Sequence, residues 1–137
     1  MDKDIIINKS QVIERCITRI HEEYNCDTEN LKNYTKQDSI ILNIQRACEA
    51  CIDLAMHIVS EKKLGVPQTS REVFDILKDN GIMDDHISER LKAMVGFRNV
   101  AVPDYQNIKI EIIERIIQFH LGDMQEFAGR MIKAIEN

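Results

Sequence analysis

Apolar residues recur at every third or fourth position through most of this chain, and this spacing restricts it to amphipathic α-helices. Only two prolines and five glycines occur in 137 residues, so few positions can end a helix. No alternation with a period of two continues for the length of a strand. We therefore predict an all-α fold, an antiparallel bundle of four to five helices, formed by residues 1–137 as a single domain.

Capping residues predict where each helix begins. The predicted starts are Asn8 or Ser10, Asp38 or Ser39, Thr69 with Glu72, Asp84 or Asp85, and Asn107. The second helix is predicted to run to about Lys63, where Gly65 supplies a left-handed C-cap and Pro67 prevents continuation. The fourth is predicted to end at Asn99, and the fifth to continue unbroken to the C-terminus. Residues 24–36 are predicted to be a polar connection with one turn of helix.

Composition and charge exclude several classes of protein. Hydrophobic residues make up 44% and charged residues 30% of the chain, a balance typical of a globular domain and not of a disordered chain. The formal net charge of −5 argues against a protein held on RNA by its global charge, and it leaves a local basic cleft open. No apolar run approaches the ~20 residues of a membrane span, and Ile5–Ile7 is too short for a signal peptide. The chain is therefore predicted to be cytoplasmic and free of any membrane.

Four cysteines raise the question of a metal site. Cys48 and Cys51 form a CxxC pair, but this pair lies within a helical pattern and is surrounded by alanines. A zinc site needs a second pair of ligands of similar character, and none is apparent in the sequence. We predict no metal, and we interpret these cysteines, with Cys16 and Cys26, as small buried thiols in a reducing compartment.

The stretch from Met94 to Tyr105 reads MVGFRNVAVPDY and lies between two long amphipathic segments. Arg98 follows an apolar helical run, so its guanidinium is held beside packing residues. The planar fork of donors in that group suits a phosphate. The alternative is that Arg98 caps carbonyl groups at a helix C-terminus, where a cation is favourable.

This stretch resembles the active-site motif of the HEPN ribonucleases, and specifically the HepT-like toxins of prokaryotic toxin–antitoxin pairs. That motif is an arginine, a polar residue, a short spacer, a histidine, one further residue and a tyrosine. Arg98, Asn99 and Tyr105 match it, and the spacer has the matching length. Pro103 occupies the histidine position.

The resemblance implies a homodimer whose two motifs meet in a shared cleft, and RNA cleavage without a metal or another cofactor. The ribose 2′-hydroxyl attacks the adjacent phosphate, and Arg98 stabilises the developing charge. Asn99 orients the phosphate or holds the motif backbone, and the family histidine moves the proton. The implied partner is a small nucleotidyltransferase antitoxin, which in this family can transfer AMP to the motif tyrosine, here Tyr105. Taken alone, Tyr105 would be interpreted as a half-buried aromatic residue.

The resembled family also carries an acidic residue on the second helix that faces the active site, and Asp53 is the matching candidate. Asp53 shares a helical face with Arg46 and His57, and it lies one turn from His57. The alternative for these three residues is a solvated face with an ordinary ion pair.

Proline has no titratable group and no backbone N–H, so Pro103 cannot replace the histidine. We predict a ribonuclease toxin that is inactive or attenuated. The alternative is a non-catalytic HEPN module that binds a nucleotide or substrate beside a nucleotidyltransferase, and a purely structural helical dimer is the third possibility.

Overall fold

The computed structural model describes the backbone of residues 3–104 and 108–136, and the side chains of the same residues except 100–104. Six α-helices and one 3-10 helix make up this part of the chain. They are α1 (Lys3–Tyr24), the 3-10 helix (Thr28–Lys32), α2 (Tyr34–Glu61), α3 (Glu72–Asp79), α4 (Asp85–Asp104), α5 (Ile110–Phe119) and α6 (Leu121–Glu136). The described residues include no strand, so the predicted all-α fold is confirmed.

Helix α2 is the centre of the bundle, because α1, α3, α4 and α6 all pack against it. Its buried positions follow the predicted apolar stripe, and Ile40, Ile44 and Leu54 have no exposed surface. Phe74 of α3 and Phe127 of α6 meet edge to face, with ring centroids 5.5 Å apart. Such aromatic pairs add to the stabilisation that apolar burial already provides.

The first two helices begin earlier than the capping residues predicted. Helix α1 starts at Lys3 and not near Asn8 or Ser10, because Ile6 is fully buried and extends the apolar stripe toward the N-terminus. Helix α2 starts after Asn33, whose side chain accepts a hydrogen bond from the Lys36 N–H at 3.1 Å. Asp38 and Ser39 therefore lie inside α2.

The left-handed residue at the end of α2 is Lys63, with φ +54°, and the prediction of Gly65 for this role is wrong. The Leu64 N–H donates to the Val59 carbonyl at 3.0 Å and the Lys63 N–H donates to the Ser60 carbonyl at 3.2 Å. This pair of bonds is a Schellman motif, which closes the helix two residues before the glycine.

Helix α4 begins where predicted, whereas α3 begins at Glu72, two residues later than a helix capped by Thr69 would begin. The Thr69 hydroxyl accepts from the Glu72 N–H at 3.1 Å, and the Glu72 carboxylate accepts from the Gln68 N–H at 3.1 Å. The Asp84 carboxylate accepts from the Ile87 N–H at 2.9 Å. Gly81, with φ +73°, ends α3 in a left-handed conformation that favours glycine.

The last part of the bundle differs from the prediction in two ways. Helix α4 does not end at Asn99 but continues through Pro103 to Asp104. The predicted single C-terminal helix is two helices, α5 and α6, which separate at His120. Asn107, the predicted cap of that helix, lies outside the described residues. No helix in the described ranges is long and apolar enough to cross a membrane.

Candidate active site

Arg98 lies well inside α4, and its side chain is 22% exposed. Its Nη1 donates to Glu49 Oε1 at 2.6 Å, and its Nη2 donates to Ser70 Oγ at 3.2 Å. The first partner is on α2 and the second is in the loop that precedes α3. The guanidinium is therefore fixed by two separate segments and does not cap the C-terminus of α4.

Each partner of Arg98 is positioned by local structure. Glu49 is half-buried on α2 between two buried residues, Cys48 and Ala50, which hold its backbone against the core. Ser70 follows Thr69, whose hydroxyl accepts from the N–H of Glu72, the first residue of α3. The hydrogen bonds between residues 68–72 thus fix the turn from which the Ser70 hydroxyl reaches Arg98.

These contacts orient Arg98 more than they stabilise the fold. The Glu49 side chain is 47% exposed, and solvent-accessible ion pairs contribute about 1 kcal/mol or less. The guanidinium retains N–H groups beyond those given to Glu49 and Ser70. Its Nε is buried and has no hydrogen-bond partner among the described residues. A cation with fixed direction and spare donors suits an anionic ligand.

Glu49, and not Asp53, is the carboxylate that holds Arg98, and the assignment of Asp53 as the acidic residue of the active site stays a prediction. Its Oδ2 accepts from Lys9 Nζ of α1 at 3.2 Å, in a solvated ion pair. His57 Nε2 lies 4.0 Å from Glu61 Oε1. Glu49 is one turn before Asp53 on the same face of α2.

The other motif residues are described only in part. Asn99 is exposed next to Arg98 on α4. Pro103 lies in the last turn of α4, but its side chain is outside the described residues, and Tyr105 is outside them entirely. Because proline has no N–H, no hydrogen bond from residue 103 can reach the Asn99 carbonyl.

An apolar groove of about 510 Å³ lies between α4 and α5 and reaches Phe97, the residue before Arg98. Its apolar walls are Met94, Gly96 and Phe97 from α4 and Ile112 and Ile116 from α5. Phe97 precedes Arg98 in sequence, so the groove and the arginine are presented by the same part of α4. Ile112 is 46% exposed, so the other described residues do not cover this part of the groove.

The cysteines do not take part in this site. Cys16, Cys48 and Cys51 are buried as predicted, whereas Cys26 is exposed. Burial raises the pKa of the Cys48 thiol to about 12, so this thiol stays protonated and unreactive at neutral pH. Within the described ranges, no three His, Cys, Asp or Glu side chains form a group that could hold a metal ion.

Comparison with known proteins defines the class to which this fold and motif belong. Residues 13–131 match the family described as Ribonuclease HepT-like. The chain is 48% identical over 131 residues to the mRNA nuclease HepT of Shewanella oneidensis, covering 96% of this chain and 98% of that protein. The chain belongs to the HepT-like ribonuclease family, and the membership predicted from its motif is confirmed.

Solved structures give the same result. One is the tri-AMPylated HEPN toxin of Shewanella oneidensis in complex with its MNT antitoxin. The TM-score is 0.89 at 48% identity, and the alignment covers 98% of this chain and 99% of the toxin. The Bacillus subtilis cytosolic protein YutE, of unknown function, has a TM-score of 0.85 at 17% identity over 99% of this chain and 92% of its own. This last likeness concerns the fold alone.

Proposed function

We propose that this chain is the toxin of a toxin–antitoxin pair, acts on RNA in the cytoplasm, and does so as one domain of residues 1–137. The observation that carries the proposal is the 48% identity to an mRNA nuclease over almost the whole of both chains. The fixed position of Arg98 supports it, because a phosphate-binding arginine must be oriented before the substrate arrives.

The proposed reaction is transfer of the phosphate within the RNA strand. The 2′-hydroxyl oxygen forms a bond to the adjacent phosphorus, and the bond from phosphorus to the 5′-oxygen breaks. The 2′-hydroxyl proton leaves and the 5′-oxygen gains a proton, so the products are a cyclic phosphate and a free 5′-hydroxyl. Negative charge grows on the phosphate oxygens in the transition state, where Arg98 would stabilise it, and Asn99 would orient the same phosphate.

We propose that a second copy of the chain covers the apolar groove. Apolar surface such as Phe97, Ile112 and Ile116 gains free energy when it is removed from water. Because the groove adjoins the motif, a two-fold contact there would bring the two Arg98 side chains toward one cleft. The homodimer would then form the complete site.

The proposed partner is a nucleotidyltransferase antitoxin of the MNT type, with Tyr105 as the acceptor of AMP. A related toxin is AMPylated in its complex with such an antitoxin, and this chain carries the motif tyrosine. We expect intact mass spectrometry to detect AMP adducts after incubation of the chain with its antitoxin and ATP. Tyr105→Phe should abolish these adducts. Tyr34→Phe is the control, because Tyr34 is 81% exposed, and it should leave the adducts unchanged. An adduct that survives Tyr105→Phe would exclude Tyr105 as the acceptor.

We further propose that Pro103 attenuates the ribonuclease. General acid–base catalysis typically contributes on the order of 10²–10⁴-fold, so the loss of the proton carrier is enough to silence a toxin. Binding of RNA would remain, since it depends on Arg98. The same proline supports the second candidate function, a binding module that acts beside a nucleotidyltransferase without cutting RNA.

Restoring the histidine tests both candidates. We expect Pro103→His to raise the rate of RNA cleavage by about 10²-fold or more, with cyclic phosphate ends, and to make expression harmful without the antitoxin. Pro103→Ala is the matched control, because it frees the backbone without supplying a base. If both variants fold and neither cuts RNA, the binding module replaces the ribonuclease as the function of this chain.

A further inference from the structure

One end of α5 carries an exposed aromatic ring among basic side chains. Phe119 is 62% exposed, and with Arg90 of α4, Arg115 of α5 and His120 it lines a cavity of about 330 Å³. No carboxylate is among the described residues that line this cavity. We call these four residues the basic face.

Among the described residues, Arg115 carries the unpaired charge of the basic face, whereas Arg90 and His120 share one carboxylate. Asp123 Oδ2 lies 3.0 Å from His120 Nδ1 and 3.5 Å from Arg90 Nη1, so it orients both groups. Asp123 does not line the cavity, and its side chain is only 13% exposed. Arg115 is exposed and belongs to none of the ion pairs formed within the described ranges.

The basic face continues into the site already described. Arg115 and His120 also line the apolar groove between α4 and α5. That groove reaches Phe97, the residue before Arg98. With the apolar part of the groove covered by a second copy, Arg115 and His120 would lie at the edge of that contact, where an RNA strand leaving the shared cleft would meet the basic face.

We propose that the basic face binds single-stranded RNA next to the cleavage position, with a base stacked on Phe119 and phosphates held by Arg115 and Arg90. This inference rests on the proposed function and assigns the path of the substrate. An exposed aromatic ring among cations is the usual platform for single strands, because every base can stack and every nucleotide carries a phosphate.

Charge favours RNA over a second copy of the chain as the occupant. A two-fold contact centred on the basic face would place Arg90 and Arg115 against the same residues of the partner, and like charges in contact oppose association. The apolar part of the groove, with Ile112 and Ile116, has no such conflict. We therefore assign the apolar part of the groove to the dimer contact and the basic face to the substrate.

Binding measurements with matched variants test this path. The probe is fluorescein-labelled single-stranded RNA carrying 2′-O-methyl groups, which lack the attacking hydroxyl, and the readout is fluorescence anisotropy. We expect Phe119→Ala and Arg115→Gln each to weaken binding about tenfold. Arg115→Gln should also lower the slope of log affinity against log salt by about 0.7, the value for one phosphate contact on a single strand.

Two control variants match these changes at positions that line neither cavity. Tyr34→Ala removes an aromatic ring that is 81% exposed, and Arg19→Gln removes an exposed guanidinium on α1. Both should bind the probe as the unmodified chain does.

If the unmodified chain binds and all four variants bind equally well, the path is wrong while the proposed function stands. If the unmodified chain does not bind RNA, the proposed function fails with it. If Phe119→Ala converts a dimer to monomers, the basic face is an interface between copies and the proposal is overturned.

Discussion

At the scale of single residues, the site depends on groups that act through Arg98. Glu49 and Ser70 hold the guanidinium from α2 and from the loop before α3. Arg98 and Asn99 could be found in the sequence because they belong to a contiguous motif. Glu49 could not, because the turn of α2 that faces Arg98 depends on how far α4 is shifted along α2.

We expect Glu49→Gln to reduce kcat for RNA cleavage in the Pro103→His chain about tenfold, with little change in KM. The charge of Arg98 remains, but the guanidinium loses an ionic partner that fixes its direction, and misplacement of a catalytic group mainly slows the reaction. Asp53→Asn is the matched control, since its carboxylate contacts Lys9, and it should leave kcat unchanged. Arg98→Ala should lower kcat/KM by an amount that corresponds to an increase of about 1.5–3 kcal/mol in the activation free energy. The helix content should not change. Equal effects of Glu49→Gln and Asp53→Asn would show that Glu49 does not position Arg98.

At the scale of helices, predictions succeeded where the signal was local. Asp84 caps α4, and Thr69 bonds to the first residue of α3, through hydrogen bonds to N–H groups three residues on, so the sequence was sufficient to find both contacts. The break between α5 and α6 has no proline and no left-handed glycine to mark it. His120 instead bonds to Asp123 at the start of α6, and this arrangement depends on packing against Arg90 of α4.

The Glu114 carboxylate connects helix α5 to α1 and to the 3-10 helix. The Glu114 side chain accepts hydrogen bonds from the Thr28 hydroxyl and from the Tyr24 hydroxyl, the latter at 2.9 Å. These bonds, first that of Thr28 and then that of Tyr24, lower the pKa of Glu114 below its ordinary value of 4.5. Because the folded pKa is lowered, the stabilisation by ionised Glu114 is complete above about pH 4.5 and is lost as the pH falls through the folded pKa.

We therefore expect Glu114→Gln to lower the unfolding temperature at neutral pH and to have a progressively smaller effect as the pH falls below 4.5. Tyr24→Phe should cost about 1 kcal/mol at neutral pH, the usual contribution of one hydrogen bond. Thermal unfolding followed by circular dichroism gives both values. Glu111→Gln, an exposed carboxylate on the same helix, is the control. An effect of Glu114→Gln that is independent of pH would show that the carboxylate charge is not what holds α5.

At the scale of the whole molecule, the apolar groove predicts assembly. We expect light scattering at micromolar concentration to give the mass of a dimer, and Ile112→Glu to give the mass of a monomer, because burying an unpaired charge at the contact is costly. Ile7→Glu is the matched control, since Ile7 and Ile112 are both 46% exposed and Ile7 lies on α1. A mass of one chain for the unmodified protein at all concentrations would rule out the proposed dimer.

The course of α4 through Pro103 has a consequence for how this toxin could change over generations. Histidine and proline codons differ by a single base, so one substitution in the gene separates the family motif from the form present here. The helix reaches Asp104 with proline in place, and the described partners of Arg98 are on α2 and in the loop before α3. We therefore expect either residue to be tolerated without movement of the arginine, so that a point mutation could remove or restore the proposed activity while the fold, and with it the surface for the proposed antitoxin, is kept.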